Sequence, residues 1–208
     1  MYDTYFKFPT LRKLLESSTL IDLFEAMFKD SAILNESSVV YKPKGKHNEV
    51  PFHQDFMNLG GGRKLIVWVA LDKVTVTNGA LKVVPGSHKD GYRDFIKIKD
   101  ETHHTRLRGW ESCNETSNFV EMEPGDVLIF DAMLNHGSER VDVTSTRFAD
   151  RFAVSSLAEK NIPRCVPVIL SSDNKLFSSK VKKGAEPDTM LTRLKRRIRK
   201  YVINNYPV

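Results

Sequence analysis

What most constrains this chain is a succession of short β-rich runs, each closed by a turn built on glycine or proline. The runs lie at residues 38–41, 64–71, 81–84, 126–130 and 151–156. Between them stand Gly60-Gly61-Gly62, Asn78-Gly79, Pro85-Gly86 and Pro124-Gly125-Asp126, all of them turn formers. Many short strands punctuated in this way fold into a sandwich or barrel. Ahead of them, residues 19–29 place Leu20, Leu23, Phe24, Met27 and Phe28 at helical spacing, with Thr19 as the cap. The expected class is therefore mainly β with flanking helices. Residues 89–116 are polar and irregular and carry His103, His104, Arg106, Arg108 and Trp110. A long insertion of this kind in a β scaffold reads as a lid or binding loop. Residues 187–201 return to helical spacing, with Leu191, Leu194, Ile198 and Val202 on one face. The expected organisation is one domain over 1–208: a helical part at 1–36, a β core at about 37–170, and a basic helix at about 187–203.

Composition narrows the class. The 208 residues are 40% hydrophobic and 28% charged, as in ordinary globular proteins. No apolar run approaches the length of a membrane span. The first residues lack a basic segment followed by an apolar stretch, so no signal peptide is expected. Cys113 and Cys165 are too few for a disulfide framework or a zinc ribbon, although a single bridge between them stays open. A reducing, cytoplasmic setting is expected. The net charge of +6 is concentrated in Arg193, Lys195, Arg196, Arg197, Arg199 and Lys200; without them, the basic residues balance the 26 acidic ones. This segment reads as the solvated face of a docked helix, so nucleic acid is not the expected partner. The rival reading is a phosphate-binding surface.

The chemistry-bearing motif is Pro51-Phe52-His53-Gln54-Asp55. On a strand, residues two apart point to the same side, so His53 and Asp55 can face one ion. His136, in Asn135-His136-Gly137-Ser138, supplies a third ligand. Two histidines and one carboxylate make the facial triad of non-haem iron(II) oxygenases, with positions left open for a bidentate co-substrate and dioxygen. By itself, His-x-Asp is a common accident, and it gains weight only from its surroundings. A 2-oxoglutarate co-substrate needs a permanent bidentate cation for its distal carboxylate, which describes arginine. Arg151, at the start of the last strand, is the first candidate. Arg147 is second, Arg140 lies in the same loop, and Ser138 can add a hydroxyl.

The chain resembles the phytanoyl-CoA dioxygenase family. The similarity runs from about residue 41 to 156, through Lys42-Pro43, His53-Gln54-Asp55, Trp68, Asn78-Gly79-Ala80-Leu81, Pro85-Gly86-Ser87-His88, Pro124-Gly125-Asp126 and His136-Gly137-Ser138. The resemblance implies a double-stranded β-helix of the jelly-roll, cupin-like type, with iron(II) at His53, Asp55 and His136. It further implies 2-oxoglutarate contacts at Trp68, Ser138, Arg151 and Ser38. His88 reads as a turn residue. Because Asp55 fills the position that a halogenating variant leaves to chloride, hydroxylation of a small organic substrate is expected, with succinate and carbon dioxide released. Arg63, Lys64, Arg106 and Arg108 either meet an anionic group of that substrate or are simply solvated. The competing class is a cupin-like metal protein without oxygenase activity, since zinc accepts the same ligands. An oxygenase acting on nucleic acid through the basic helix is the third alternative.

Overall fold

The structure is a computed structural model; it describes residues 1–47, 49–55, 63–97, 106–144, 146–159 and 168–172. The expected C-terminal helix, the Gly60-Gly61-Gly62 turn, His103, His104 and Cys165 lie outside them. The chain divides into two compact units, Met1–Ser38 with Phe152–Val208, and Val39–Arg151.

In the first unit, three helices come first: α1 (Thr4–Lys7), α2 (Pro9–Leu15) and α3 (Ser18–Phe28). Pro9 opens α2, where its missing N–H costs nothing. The helix expected at 19–29 is α3. Its cap position is Ser17, not Thr19, and Ser17 makes no side-chain capping bond. The helices turn Tyr5, Leu15 and Phe24 into the interior. The strand β1 (Ala32–Lys42) follows. It begins well before the expected run, because Asn35, Glu36 and Ser37 are buried within it and do not read as strand. Two of them bond to residues remote in sequence: Asn35 Nδ2 donates to Ser155 Oγ at 2.9 Å, and Tyr5 N donates to Ser37 Oγ at 3.2 Å. Ser38 is buried and bridges Tyr2 in this unit. A late strand, β13 (Val168–Leu170), pairs antiparallel with β1, Ala32 opposite Leu170.

The second unit holds β2 (Gly45–His47), β3 (Val50–His53), β4 (Lys64–Ala70), β5 (Leu81–Val83), β6 (Phe95–Ile96), β7 (Arg106–Leu107), the short helix α4 (Glu111–Thr116), β8 (Asn118–Val120), β9 (Val127–Asp131), β10 (His136–Ser138) and β11 (Val141–Val143). The long strand β12 (Arg147–Ser156) starts here. Within this unit β4 pairs with β9, and a second sheet has the order β3-β10-β5-β8. Every residue of β4 is buried, which explains its unbroken apolar run; a strand covered on both faces has no polar side. The interval 89–116 is less irregular than expected: it contains β6, β7 and α4, and Phe52, Leu107 and Cys113 form a small core there with Val84 and Trp110 packed against it.

Candidate metal and co-substrate site

The two histidines are brought together by one strand pair. β3 and β10 run antiparallel with His53 directly opposite His136, and the register shifts before Ser138 meets Val50. This close approach requires Gly137: a Cβ there would sit 2.7 Å from the Val50 carbonyl oxygen and 3.2 Å from the Phe52 nitrogen. The loop before His136 is held from several sides. Gln54 Nε2 donates to Met133 O at 2.7 Å and Gly91 O at 3.0 Å, while its Oε1 accepts from Arg93 N at 3.1 Å. Asn135 N donates to Ser87 Oγ at 2.9 Å. Gln54 thus ties the segment carrying two of the triad residues to the segment carrying the third. In the sequence, Gln54 is legible only as part of the His53-Gln54-Asp55 motif.

His53, Asp55 and His136 are all buried, and their potential ligand atoms lie within 4.8 Å of one another. His53 Nδ1 lies 2.8 Å from Pro51 O, and His136 Nδ1 lies 2.9 Å from Leu134 O. A carbonyl only accepts, so each Nδ1 carries the proton and each Nε2 keeps its lone pair. Those two Nε2 atoms stand 3.7 Å from Asp55 Oδ1 and 3.8 Å from Asp55 Oδ2. Burial, with His53 nearby, lowers the His136 pKa to about 4, so its ring is neutral at physiological pH. Burial opposes the charge on Asp55, but Arg151 and the two histidines outweigh it and hold the carboxyl well below its usual range. Two imidazoles, each fixed by a backbone acceptor, and an ionised carboxylate are the donor set a divalent cation takes. The residues fit such an ion.

The same unit also holds a cluster of buried cations. Arg147 is 3% exposed. Its Nη2 donates to Gly79 O at 2.8 Å, and its guanidinium carbon lies 5.4 Å from the centre of the Trp68 ring. Its Nε and Nη1 are buried and have no hydrogen-bond partner. Burial lowers its pKa to about 10, with Asp72 opposing, so the group stays charged at neutrality. Lys42 is also buried; burial, and then the charge of Arg147, lower its pKa to about 8. The two cations meet at Gly79, where a Cβ would lie 2.4 Å from Lys42 Cδ. Gly79 has φ +93° and ends a turn in which Thr75 and Asn78 cap each other. A non-glycine residue is strained there and would also displace the lysine. Ser138 is buried, and its Oγ has no partner.

Arg151 is placed differently from expectation. Its Nη1 donates to Asp55 Oδ2 at 3.1 Å, with 18% of its side chain exposed. Two of the four basic residues read as anion-facing or solvated are not solvated. Lys64 is 0% exposed. Arg106 is buried, paired with Glu49, and lies 4.5 Å over the Trp110 ring. Arg63 is half exposed and pairs with Asp131, and Arg108 is exposed. Cys113 is free and buried.

Fold and site together define a class: an antiparallel, cupin-like β fold carrying a site of two histidines and one carboxylate. The family model "Phytanoyl-CoA dioxygenase (PhyH)" matches residues 6–149, and the chain belongs to that family. The chain is 25% identical to ectoine dioxygenase of Sphingopyxis alaskensis, over 91% of this chain and 70% of the relative. It is 30% identical to phytanoyl-CoA dioxygenase 1 of Oryza sativa subsp. japonica, over 62% of this chain and 45% of that one. The crystal structure of EctD from S. alaskensis with bound Fe superposes with a TM-score of 0.63 at 24% identity, covering 77% of this chain and 58% of the other. This likeness establishes the fold. The chain spans about half the length of most of the relatives it matches. Among the described residues, no helix is long and apolar enough to cross a membrane.

Proposed function

We propose that the protein is an iron(II)- and 2-oxoglutarate-dependent dioxygenase that hydroxylates a small organic substrate. The observation that carries this reading is the buried His53–Asp55–His136 cluster, with both Nδ1 atoms committed to backbone carbonyls and both Nε2 lone pairs beside one carboxylate. A fully buried guanidinium with two idle N–H groups supports the co-substrate. A buried cation without a partner is costly, and a dicarboxylate that chelates the metal at one end and meets Arg147 at the other supplies the missing anion.

The roles follow from position. His53, Asp55 and His136 hold the metal. Iron(II), with 2-oxoglutarate and dioxygen, supplies the oxidising power to hydroxylate an unactivated C–H bond and releases succinate and carbon dioxide. Arg147 takes the far carboxylate with idle donors of its buried guanidinium; Lys42 adds a second positive charge and Ser138 a hydroxyl. Trp68 supports the guanidinium from one side and excludes water. The co-substrate anchor in this reading is Arg147, not the Arg151 favoured by the sequence, because Arg151 is engaged with the metal-binding carboxylate. A simple zinc site leaves the buried cations without a purpose, which disfavours the non-oxygenase alternative.

The decisive experiment is an anaerobic titration with iron(II) and then 2-oxoglutarate. The expected result is a visible charge-transfer band that is absent from His53→Ala and Asp55→Ala. A wild-type protein that binds iron(II) but not 2-oxoglutarate would sink the oxygenase reading. A screen for substrate-dependent succinate release then addresses the substrate.

A further inference from the structure

We infer that Arg151 is a positioning residue that restricts Asp55 to one-oxygen ligation and so keeps a coordination position free at the metal. The inference rests on the metal site proposed above.

The triad alone does not decide how Asp55 binds. Its two oxygens each lie near one imidazole, Oδ1 at 3.7 Å from His53 Nε2 and Oδ2 at 3.8 Å from His136 Nε2. The carboxylate therefore straddles the place where an ion would sit, and nothing in the histidines selects one oxygen over two. Arg151 breaks that symmetry. Its Nη1 donates to Oδ2 alone, at 3.1 Å, in a site where the aspartate is 5% exposed. A charge-assisted bond in such surroundings is strong and directional. It occupies Oδ2 and leaves Oδ1 for the metal, as outer-shell partners commonly orient ligating carboxylates.

The consequence is a matter of vacancies. Two imidazoles and one carboxylate oxygen fill half of an octahedron, and a chelating keto acid takes two of the remaining positions, so one is left for dioxygen. If both Asp55 oxygens bound, that last position would vanish. The guanidinium also sets a positive charge against the ion, which weakens metal binding. The geometry accepts lower affinity in return for an open position.

Arg147 cannot do this work, nor can Arg151 do that of Arg147. They lie four residues apart on β12 and share a face, so their Cα atoms are roughly 13 Å apart at the rise of a strand. One arginine keeps Nε and Nη1 idle beside Trp68, whereas the other spends Nη1 on Asp55. Only a division of labour accounts for both.

The test uses Mn(II) as the ion, 2-oxoglutarate as the chelate, and water-proton relaxation to count exchangeable water on the metal. Wild type should retain one such water in the Mn(II)·2-oxoglutarate complex. Arg151→Leu should lose it, with relaxivity falling by about half or more, and should bind Mn(II) about tenfold more tightly because a nearby positive charge is gone. Arg151→Lys, which keeps the charge and a donor, should restore both. Arg151→Met, of similar length and without a donor, serves if the leucine variant does not fold. Wild-type relaxivity and Mn(II) affinity in the leucine or methionine variant would overturn the inference. So would a selective loss of 2-oxoglutarate affinity, which would make Arg151 the co-substrate anchor. Failure of wild type to bind Mn(II) and 2-oxoglutarate at all would instead count against the metal site itself.

Discussion

At the scale of single residues, the site is a set of charges whose positions assign their tasks. Arg147 holds two buried, unpartnered donors, and hydrogen bonds to charged groups are worth roughly 1.5–3 kcal/mol each. Arg147→Leu should therefore weaken 2-oxoglutarate binding by about 100-fold while leaving metal affinity nearly unchanged, as read by titration of the Co(II) protein. Its ligand-free form should be no less stable than wild type, since a costly buried charge has been removed. Lys42 gives a pH signature. Its pKa falls from 10.5 to about 8 on folding, so between those values the unfolded chain binds more protons and stability rises with pH. Below pH 8 the charged lysine carries a penalty of at most about 3 kcal/mol. Lys42→Met should be more stable than wild type at pH 7 in urea unfolding, and the gap should shrink by pH 10. A gap independent of pH would refute the assignment.

At the scale of elements, the β3–β10 pair is the part that cannot yield. A methyl group at Gly137 meets backbone atoms of Val50, Pro51 and Phe52, and backbone does not rotate away. Gly137→Ala should cost about 2 kcal/mol or more of stability and lower Co(II) affinity at least about tenfold, because the strand that moves carries His136. Thermal unfolding and metal titration measure the two effects. Much of this level was legible in sequence. β4 and β9 were found because their residues are continuously apolar. β10 was not, since His-Gly-Ser has no strand-like pattern and its two partners are remote in the chain. β12 was begun at residue 151 instead of Arg147 because Phe148 is exposed and Asp150 is fully buried, which inverts the usual alternation. That inversion concealed Arg147 as a strand residue and made Arg151 the more attractive anchor. The candidate metal ligands are legible in sequence because their residue types are unusual together; the roles proposed for the two arginines depend on which neighbour each one reaches.

At the scale of the molecule, the ligand-free chain holds Arg147 and Ser138 with unmet buried polar groups. Binding should therefore register in global stability. With Co(II) and 2-oxoglutarate each near 100 times their dissociation constants, every site adds about 2.7 kcal/mol. One such increment raises the melting temperature of a chain this size by roughly 5–10 °C. His53→Ala should abolish the cobalt-dependent shift, as followed by scanning fluorimetry; an equal shift in that variant would show that the metal stabilises the fold from elsewhere. The sequence carried the mainly β class and the flanking helices. It did not disclose the division into two units, because β1 and β12 each run from one unit into the other, and no linker marks the passage.

The order β3-β10-β5 has a consequence for how the protein is born. On the ribosome, β3 and β5 emerge early and lack their shared neighbour until β10 appears. His53 and Asp55 are then present without His136, and the nascent chain has only two of its three ligands. The arrival of one three-residue strand closes the sheet and completes the ligand set in the same event. In the reading proposed above, the metal site is therefore completed only late in synthesis, when β10 emerges.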